Sequence, residues 1–116
     1  MSAAFNKGII RRYNTFTYSS SDEFNLTMEQ SSSVIFIDTT GNDITFKLPK
    51  ATDNAGGNFK FIATTVGRNL IFNSASANII ALSSAAADTK QISNMVLGEC
   101  IECITDGTNW YVIENN

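Results

Sequence analysis

Short strand-like runs of apolar residues, separated by turn signals, make up most of the chain from Phe24 onward. In Phe24–Met28 and Ile44–Leu48 every second residue is apolar, which is typical of a strand with one buried face. Eight to ten short strand-like runs follow one another, separated by clusters of Gly, Asn, Asp and Ser. The pattern therefore predicts an all-β single domain, built as an antiparallel β-sandwich or jelly roll.

Three segments indicate where strands end. Pro49 has no N–H group to donate and closes the run that begins at Ile44. The cluster Asp53–Gly57 predicts a turn, because Gly and Asn tolerate a positive φ. Asp106–Asn109 predicts a four-residue hairpin connection with Gly107 in the left-handed region.

Several predicted strands are apolar on both faces, which one small core cannot cover. Contiguous exposed apolar patches tend to mark interfaces, so we expect a homo-oligomer; the alternative is that the N-terminal segment folds back over these faces. The runs are Val34–Ile37, Leu70–Phe72, Ile79–Leu82 and Tyr111–Ile113. The candidate interface residues are Val34, Ile35, Ile37, Ile71, Trp110, Tyr111 and Ile113.

Residues 1–22 differ from the rest and predict an extended N-terminal arm, with a short strand near Phe16–Tyr18, ahead of a β-domain at 23–116. Residues 1–21 carry three basic residues and no acidic one, whereas the remainder carries five basic and eleven acidic residues. We expect the arm to dock on a partner, the alternative being a disordered terminus. Arg11 and Arg12 suit bidentate contacts with carboxylates, and aromatic anchoring would come from Tyr13, Phe16 and Tyr18.

The overall charge and hydropathy exclude two classes of partner. A net charge of −3 argues against a nucleic-acid binder, which should present a basic patch. No run approaches the roughly 18 apolar residues of a membrane span. The residues after Met1 lack the apolar centre of a secretory signal.

The candidate chemistry is sparse. The chain has no histidine, which excludes Ser-His-Asp and Cys-His catalysis. Cys100 and Cys103 supply only two of the four ligands of a structural zinc site. On a strand, positions three apart face opposite ways, so the pair is interpreted as two small hydrophobic residues. We predict no enzyme activity, no catalytic residues, no cofactor and no metal site.

Two aromatic residues beside the predicted hairpin allow two interpretations. Trp110 and Tyr111 would serve as core or interface anchors, or alternatively would stack on a sugar.

The order of these features resembles a known kind of protein module. Ile44–Ala51, Asn54–Phe61 and Asp106–Ile113 together resemble the β-modules of bacteriophage and other viral fibre, spike and capsid-decoration proteins. The most specific part is Asp106-Gly107-Thr108-Asn109-Trp110-Tyr111. The resemblance implies a viral structural protein, commonly trimeric, without catalysis. The chain lacks a shaft, collagen-like repeats and coiled-coil heptads, which favours a compact knob or cement protein.

Two functions follow as expectations. In the first, the chain is a capsid decoration or cement subunit that forms a homotrimer and docks its arm on the major capsid protein or another virion protein. In the second, it is the receptor-binding tip of a viral fibre and recognises host glycans. A non-viral binding module is a third possibility. The first two place the protein in the virion, after assembly in the host cytoplasm, with no nucleic-acid or membrane partner.

Overall fold

A computed structural model describes residues 15–19, 23–52, 54–76, 78–82 and 84–115. Apart from one 3-10 turn at Met28–Gln30, the regular structure in these residues is β-structure, so the all-β prediction is confirmed. The ten strands are β1 (Thr15–Tyr18), β2 (Glu23–Asn25), β3 (Ser33–Asp38), β4 (Ile44–Lys47), β5 (Asn58–Thr65), β6 (Leu70–Asn73), β7 (Ile79–Ala81), β8 (Thr89–Ile92), β9 (Cys100–Thr105) and β10 (Trp110–Asn115).

The strands form two sheets. The larger sheet has the order β1-β3-β5-β9-β10-β7, and the smaller has the order β2-β4-β6-β8. From β1 to β6 successive strands belong alternately to the larger and the smaller sheet. Each pair of successive strands therefore adds one strand to each sheet. Val34 pairs with Lys60 and Ile44 with Leu70, and in both cases the partner lies equally far along the chain. The backbone therefore repeats a two-strand unit, although the sequence shows no matching repeat.

The prediction of antiparallel pairing is wrong for most of the structure. Five of the eight ladders are parallel, namely β1–β3, β3–β5, β2–β4, β4–β6 and β7–β10. Parallel neighbours need a crossover connection, and here a strand of the opposite sheet supplies it. Side chains alternate in the same way in both kinds of ladder, so the sequence pattern could not distinguish them.

The inward faces of the two sheets share one core. Phe61 on β5 lies between Phe46 and Phe72 of the smaller sheet, with ring centroids 5.0 and 4.9 Å away. Edge-to-face and tilted pairs at this distance stabilise the contact beyond the area they bury. The largest fully buried side chains are Trp110, Phe46, Phe59, Phe61, Phe72, Ile35, Ile37, Ile44, Leu70, Ile79, Ile92 and Ile101.

The first described residues belong to this fold. β1 pairs in parallel with β3 along its whole length, which confirms the predicted strand near Phe16–Tyr18. Phe16 and Tyr18 pack against the core. Residues 15–18 are therefore part of the β-domain, contrary to the predicted boundary after residue 22. The rest of the predicted arm, 1–14 and 20–22, lies outside the described residues.

The chain ends its strands mostly where the sequence predicts. Gly56 and Gly107 have φ values of 87° and 94°, as the two predicted turns require. The strand predicted for Phe24–Met28, however, ends at Asn25. The N–H of Thr27 donates to Oε1 of Gln30 at 2.9 Å. This contact belongs to a capping box, which starts the 3-10 turn and stops the strand.

Trp110 links the larger sheet to the segment that follows β4. The side chain is fully buried, and its Nε1–H donates to the carbonyl oxygen of Pro49 at 2.8 Å. Replacing Trp110 with Phe should lower the free energy of unfolding by about 1–3 kcal/mol, because the half-buried Pro49 carbonyl loses its donor and the smaller ring leaves a cavity in the core. Urea denaturation measures this change. Tyr111→Phe, at the exposed neighbouring position, should change stability by about 0.5 kcal/mol or less; equal effects of the two substitutions would contradict the assignment.

Candidate assembly surface

The side chains that alternate with the core residues of the larger sheet form its outer face. Across β3, β5, β9 and β10, the register places Val34, Lys60, Glu102 and Ile113 in one row. A second row holds Phe36, Ile62, Cys100 and Asn115, and a third holds Asn58, Ile104, Tyr111 and Ile80. We call these three rows the outer face.

Most of the outer face is apolar. Val34, Phe36, Ile62 and Ile104 are half-buried by their neighbours, whereas Tyr111 and Ile113 are 37% and 42% exposed. Leu82, directly after β7, is 93% exposed. Such a largely apolar surface is uncommon on a monomer and tends to mark an interaction site.

Two charged side chains lie at the centre of this apolar surface. Lys60 and Glu102 are Cα partners across β5 and β9, and Val34 and Ile113 flank them in the same row. Lys60 is exposed and Glu102 is half-buried. The outer face is thereby divided into a β5 side that carries a positive charge and a β9 side that carries a negative one.

A shallow apolar depression lies along the β7–β10 edge of the larger sheet. Ile80, Leu82, Tyr111 and Ile113 line it, and Glu114 lies at its border. Because β7 has only three residues, this edge offers side-chain contacts more readily than a long backbone ladder.

The structure separates the predicted interface residues into two groups. Ile35, Ile37 and Trp110 have no accessible surface because their side chains point into the core, so placing these three at an interface is wrong for this fold. Neighbouring side chains of a strand point to opposite faces, and Ile35, Ile37 and Trp110 occupy positions that face the core.

The remaining predicted interface residues lie outside the core. Val34, Tyr111 and Ile113 are on the outer face of the larger sheet. Ile71 is half-buried on the outer surface of the smaller sheet, where its strand neighbours are Thr45 and Gln91.

Sequence reasoning missed several residues of the outer face. Phe36 and Ile80 stand in runs recognised as apolar on both sides, but they were not selected from them. Ile62 and Ile104 were missed because each belongs to a strand with clear polar residues. The alternation with the buried Phe61 and Cys103 is the signal that would have identified them.

The predicted docking residues also fall into two groups, those outside the described residues and those on β1. Arg11, Arg12 and Tyr13 lie outside the described residues. Phe16 and Tyr18 lie on β1, and the Tyr18 ring is 4.4 Å from Phe24 and 5.1 Å from Phe46 between centroids. These two aromatic residues therefore stabilise the chain's own core in this structure.

The β9–β10 hairpin fixes the position of Tyr111. Asp106 Oδ1 accepts hydrogen bonds from the N–H groups of Thr108 and Asn109, both at 2.8 Å. The Tyr111 hydroxyl donates to Asp106 Oδ2 at 3.2 Å. The hydrogen bonds from Asn109 and Thr108 hold the pKa of the Asp106 carboxyl below its usual value. Asp106 is thus an ionised turn-forming residue that restrains the exposed aromatic ring.

The two cysteines lie on opposite faces of β9, as the spacing predicts. Cys100 is half-buried on the outer face, and Cys103 is fully buried in the core. Burial, with a smaller effect from the negative charge of Glu102, raises the pKa of the Cys103 thiol well above its usual value. A thiol that stays protonated is a poor nucleophile, so Cys103 serves as a core residue.

Two further findings concern the described part of the chain. Its cysteine, aspartate and glutamate side chains form no group of three or more that could hold a metal ion. It also contains no helix of the length and apolarity needed to cross a membrane.

Comparisons with known proteins do not identify a family for this chain. No protein-family model matches the chain, and no match was found among curated proteins.

The burial of Cys103 makes its reactivity a measure of folding. In the variant Cys100→Ser, the remaining thiol should react with a thiol reagent at pH 8 only as fast as the protein unfolds. Labelling should therefore accelerate in step with the urea unfolding curve. The matched variant Cys103→Ala should label in the folded state of dilute, dissociated protein, since Cys100 is partly accessible in the single chain. Rapid labelling of Cys103 in folded protein would contradict its place in the core.

Proposed function

We propose that this chain is a non-enzymatic structural subunit of a viral particle, a capsid decoration or cement protein that assembles with copies of itself. The observation that carries the proposal is the outer face of the larger sheet, an apolar surface that the described part of the chain leaves uncovered. Burying such a surface contributes about 25 cal/mol per Å² of apolar area. Assembly is the most direct way to remove it from water.

The viral context rests on the sequence resemblance. The three segments that carry it, Ile44–Ala51, Asn54–Phe61 and Asp106–Ile113, correspond here to β4 with its proline end, the Gly56 turn with the start of β5, and the β9–β10 hairpin with most of β10. The three segments thus contribute to the core between the sheets and to a hydrogen-bonded hairpin, which suits a structural subunit. The resemblance also favours three copies per assembly.

The basic N-terminal residues provide the proposed attachment to the particle. Arg11 and Arg12 would pair with carboxylates of the major capsid protein or another virion protein, and Tyr13 would add an aromatic contact. Because Phe16 and Tyr18 pack against the domain's own core, we limit the proposed arm to residues 1–14.

Removing residues 1–14 should leave the β-domain folded, because β1 is retained. It should abolish binding to the particle, because Arg11, Arg12 and Tyr13 are lost. Cosedimentation with undecorated particles measures binding, and circular dichroism reports the fold. Arg11→Glu/Arg12→Glu in the full chain should weaken binding and remove most of its salt dependence. Lys47→Glu/Lys50→Glu, which also exchanges two basic residues, is the matched control and should bind normally.

Full occupancy by the truncated protein would place the anchor on the β-domain instead. A chain that binds no particle protein at all would contradict the decoration function itself.

A second candidate function is a receptor-binding tip that recognises host glycans. The observation that favours it is the exposed ring of Tyr111, which Asp106 holds in place beside the polar Asn109. Aromatic rings presented in this way can stack on sugars. A glycan array decides between the two functions: binding that Tyr111→Ala abolishes would support the tip, and a blank array together with particle binding would support decoration.

A further inference from the structure

We infer that the outer face of the larger sheet is the surface through which copies of this chain meet, with the β5 side of one copy on the β9 side of the next. Lys60 of one copy then lies opposite Glu102 of its neighbour. This inference rests on the self-assembly in the proposed function and specifies its contact surface and its register.

The distribution of charge is the first reason. In the three rows of the outer face, Lys60 and Glu102 are the two charged side chains, and they have opposite signs. An apolar partner of another kind would leave Lys60 and Glu102 with only each other as counterparts, and removing such a pair from water is costly. A second copy of the same surface supplies a carboxylate for Lys60 and an ammonium group for Glu102.

The geometry of the rows is the second reason. A two-fold axis that runs along the strands between β5 and β9 places Lys60 over Glu102 of the second copy. The same rotation places Val34 over Ile113, and Ile62 over Cys100. Within the central row, apolar side chains thereby cover apolar side chains on both sides of the charged pair. In the two neighbouring rows, the rotation also places Asn58 over Ile104 and Phe36 over Asn115.

The charges also select the orientation. A two-fold axis perpendicular to the strands would place each Lys60 over the Lys60 of the other copy. Like charges brought together in a desolvated contact are strongly unfavourable, so the apolar rows cannot be buried in that orientation without a penalty. Burial of apolar side chains thus stabilises the contact, and Lys60 and Glu102 select the relative orientation of the two copies.

The same complementarity is compatible with a ring. In a three-fold assembly, the β5 side of each copy can lie on the β9 side of the next, so that each Lys60 again meets a Glu102. The contact therefore joins the β5 side and the β9 side of the outer face, whether the assembly has two copies or three.

Charge reversal tests the inference. Lys60→Glu and Glu102→Lys should each weaken self-association about tenfold or more, because each places like charges in the contact. The double variant Lys60→Glu/Glu102→Lys should restore it, since the two halves are complementary again. Lys47→Glu, an exposed lysine on β4 of the smaller sheet, is the matched control and should associate like the natural chain. Sedimentation equilibrium measures association, and urea unfolding of dilute protein checks that each variant is folded.

Mixing the two single variants measures the symmetry. In a two-fold dimer, one Lys60→Glu chain and one Glu102→Lys chain complement each other at both contacts, so a 1:1 mixture should associate fully. In a three-fold ring, one of the three contacts must join two chains of the same kind, so the mixture should not form closed trimers.

Each outcome bears on a different claim. A natural chain that stays monomeric at tens of micromolar removes the self-assembly on which both proposals depend. A natural oligomer that tolerates both charge reversals and Ile113→Asp keeps the proposed assembly but overturns this surface. Loss in the single variants without recovery in the double variant overturns the Lys60–Glu102 register.

Discussion

The contact of Phe61 with Phe46 and Phe72 is the constraint on which the rest of the structure depends. These rings join the two sheets at 5.0 and 4.9 Å and fix which face of β5 points inward. Once Phe61 points inward, the alternation of side chains assigns Lys60 and Ile62 to the outer face. Hydrogen bonding to β3 and β9 extends that assignment across the larger sheet. The composition of the outer face thus follows from packing at the core.

The alternating pattern predicted the all-β class, the positions of most strands and the hairpin at Gly107. It could not predict the direction of pairing, because a strand such as Ile44–Lys47 shows the same alternation in parallel and antiparallel ladders. The inward parity of Ile35 and Ile37 was equally undetermined, since every residue from Val34 to Ile37 is apolar. By contrast, the Thr27–Gln30 capping box has a recognisable sequence signature and was overlooked.

The candidate site was predicted in kind but only partly in its residues. Excess apolar surface was evident from runs such as Tyr111–Ile113, and Tyr111 and Ile113 are indeed exposed. Trp110 was misplaced because an aromatic residue next to a hairpin suits either face, and its hydrogen bond to the carbonyl of Pro49 depends on a segment distant in sequence. The central position of Lys60 and Glu102 depends on the β5–β9 register, which the sequence does not encode locally.

The position of β7 has a consequence for how the chain acquires its fold during synthesis. The ladder partner of β7 is β10, which leaves the ribosome almost thirty residues later, and β10 in turn needs β9 to reach β5. The nascent chain can stack its first six strands as they emerge. Ile79 can pair locally with Ala87, but β7 joins the larger sheet only when the β9–β10 hairpin is present. Until then one border of the larger sheet stays open to strands of neighbouring nascent chains. Pairing of β9 with β5 would protect this border only after both strands of the β9–β10 hairpin have emerged.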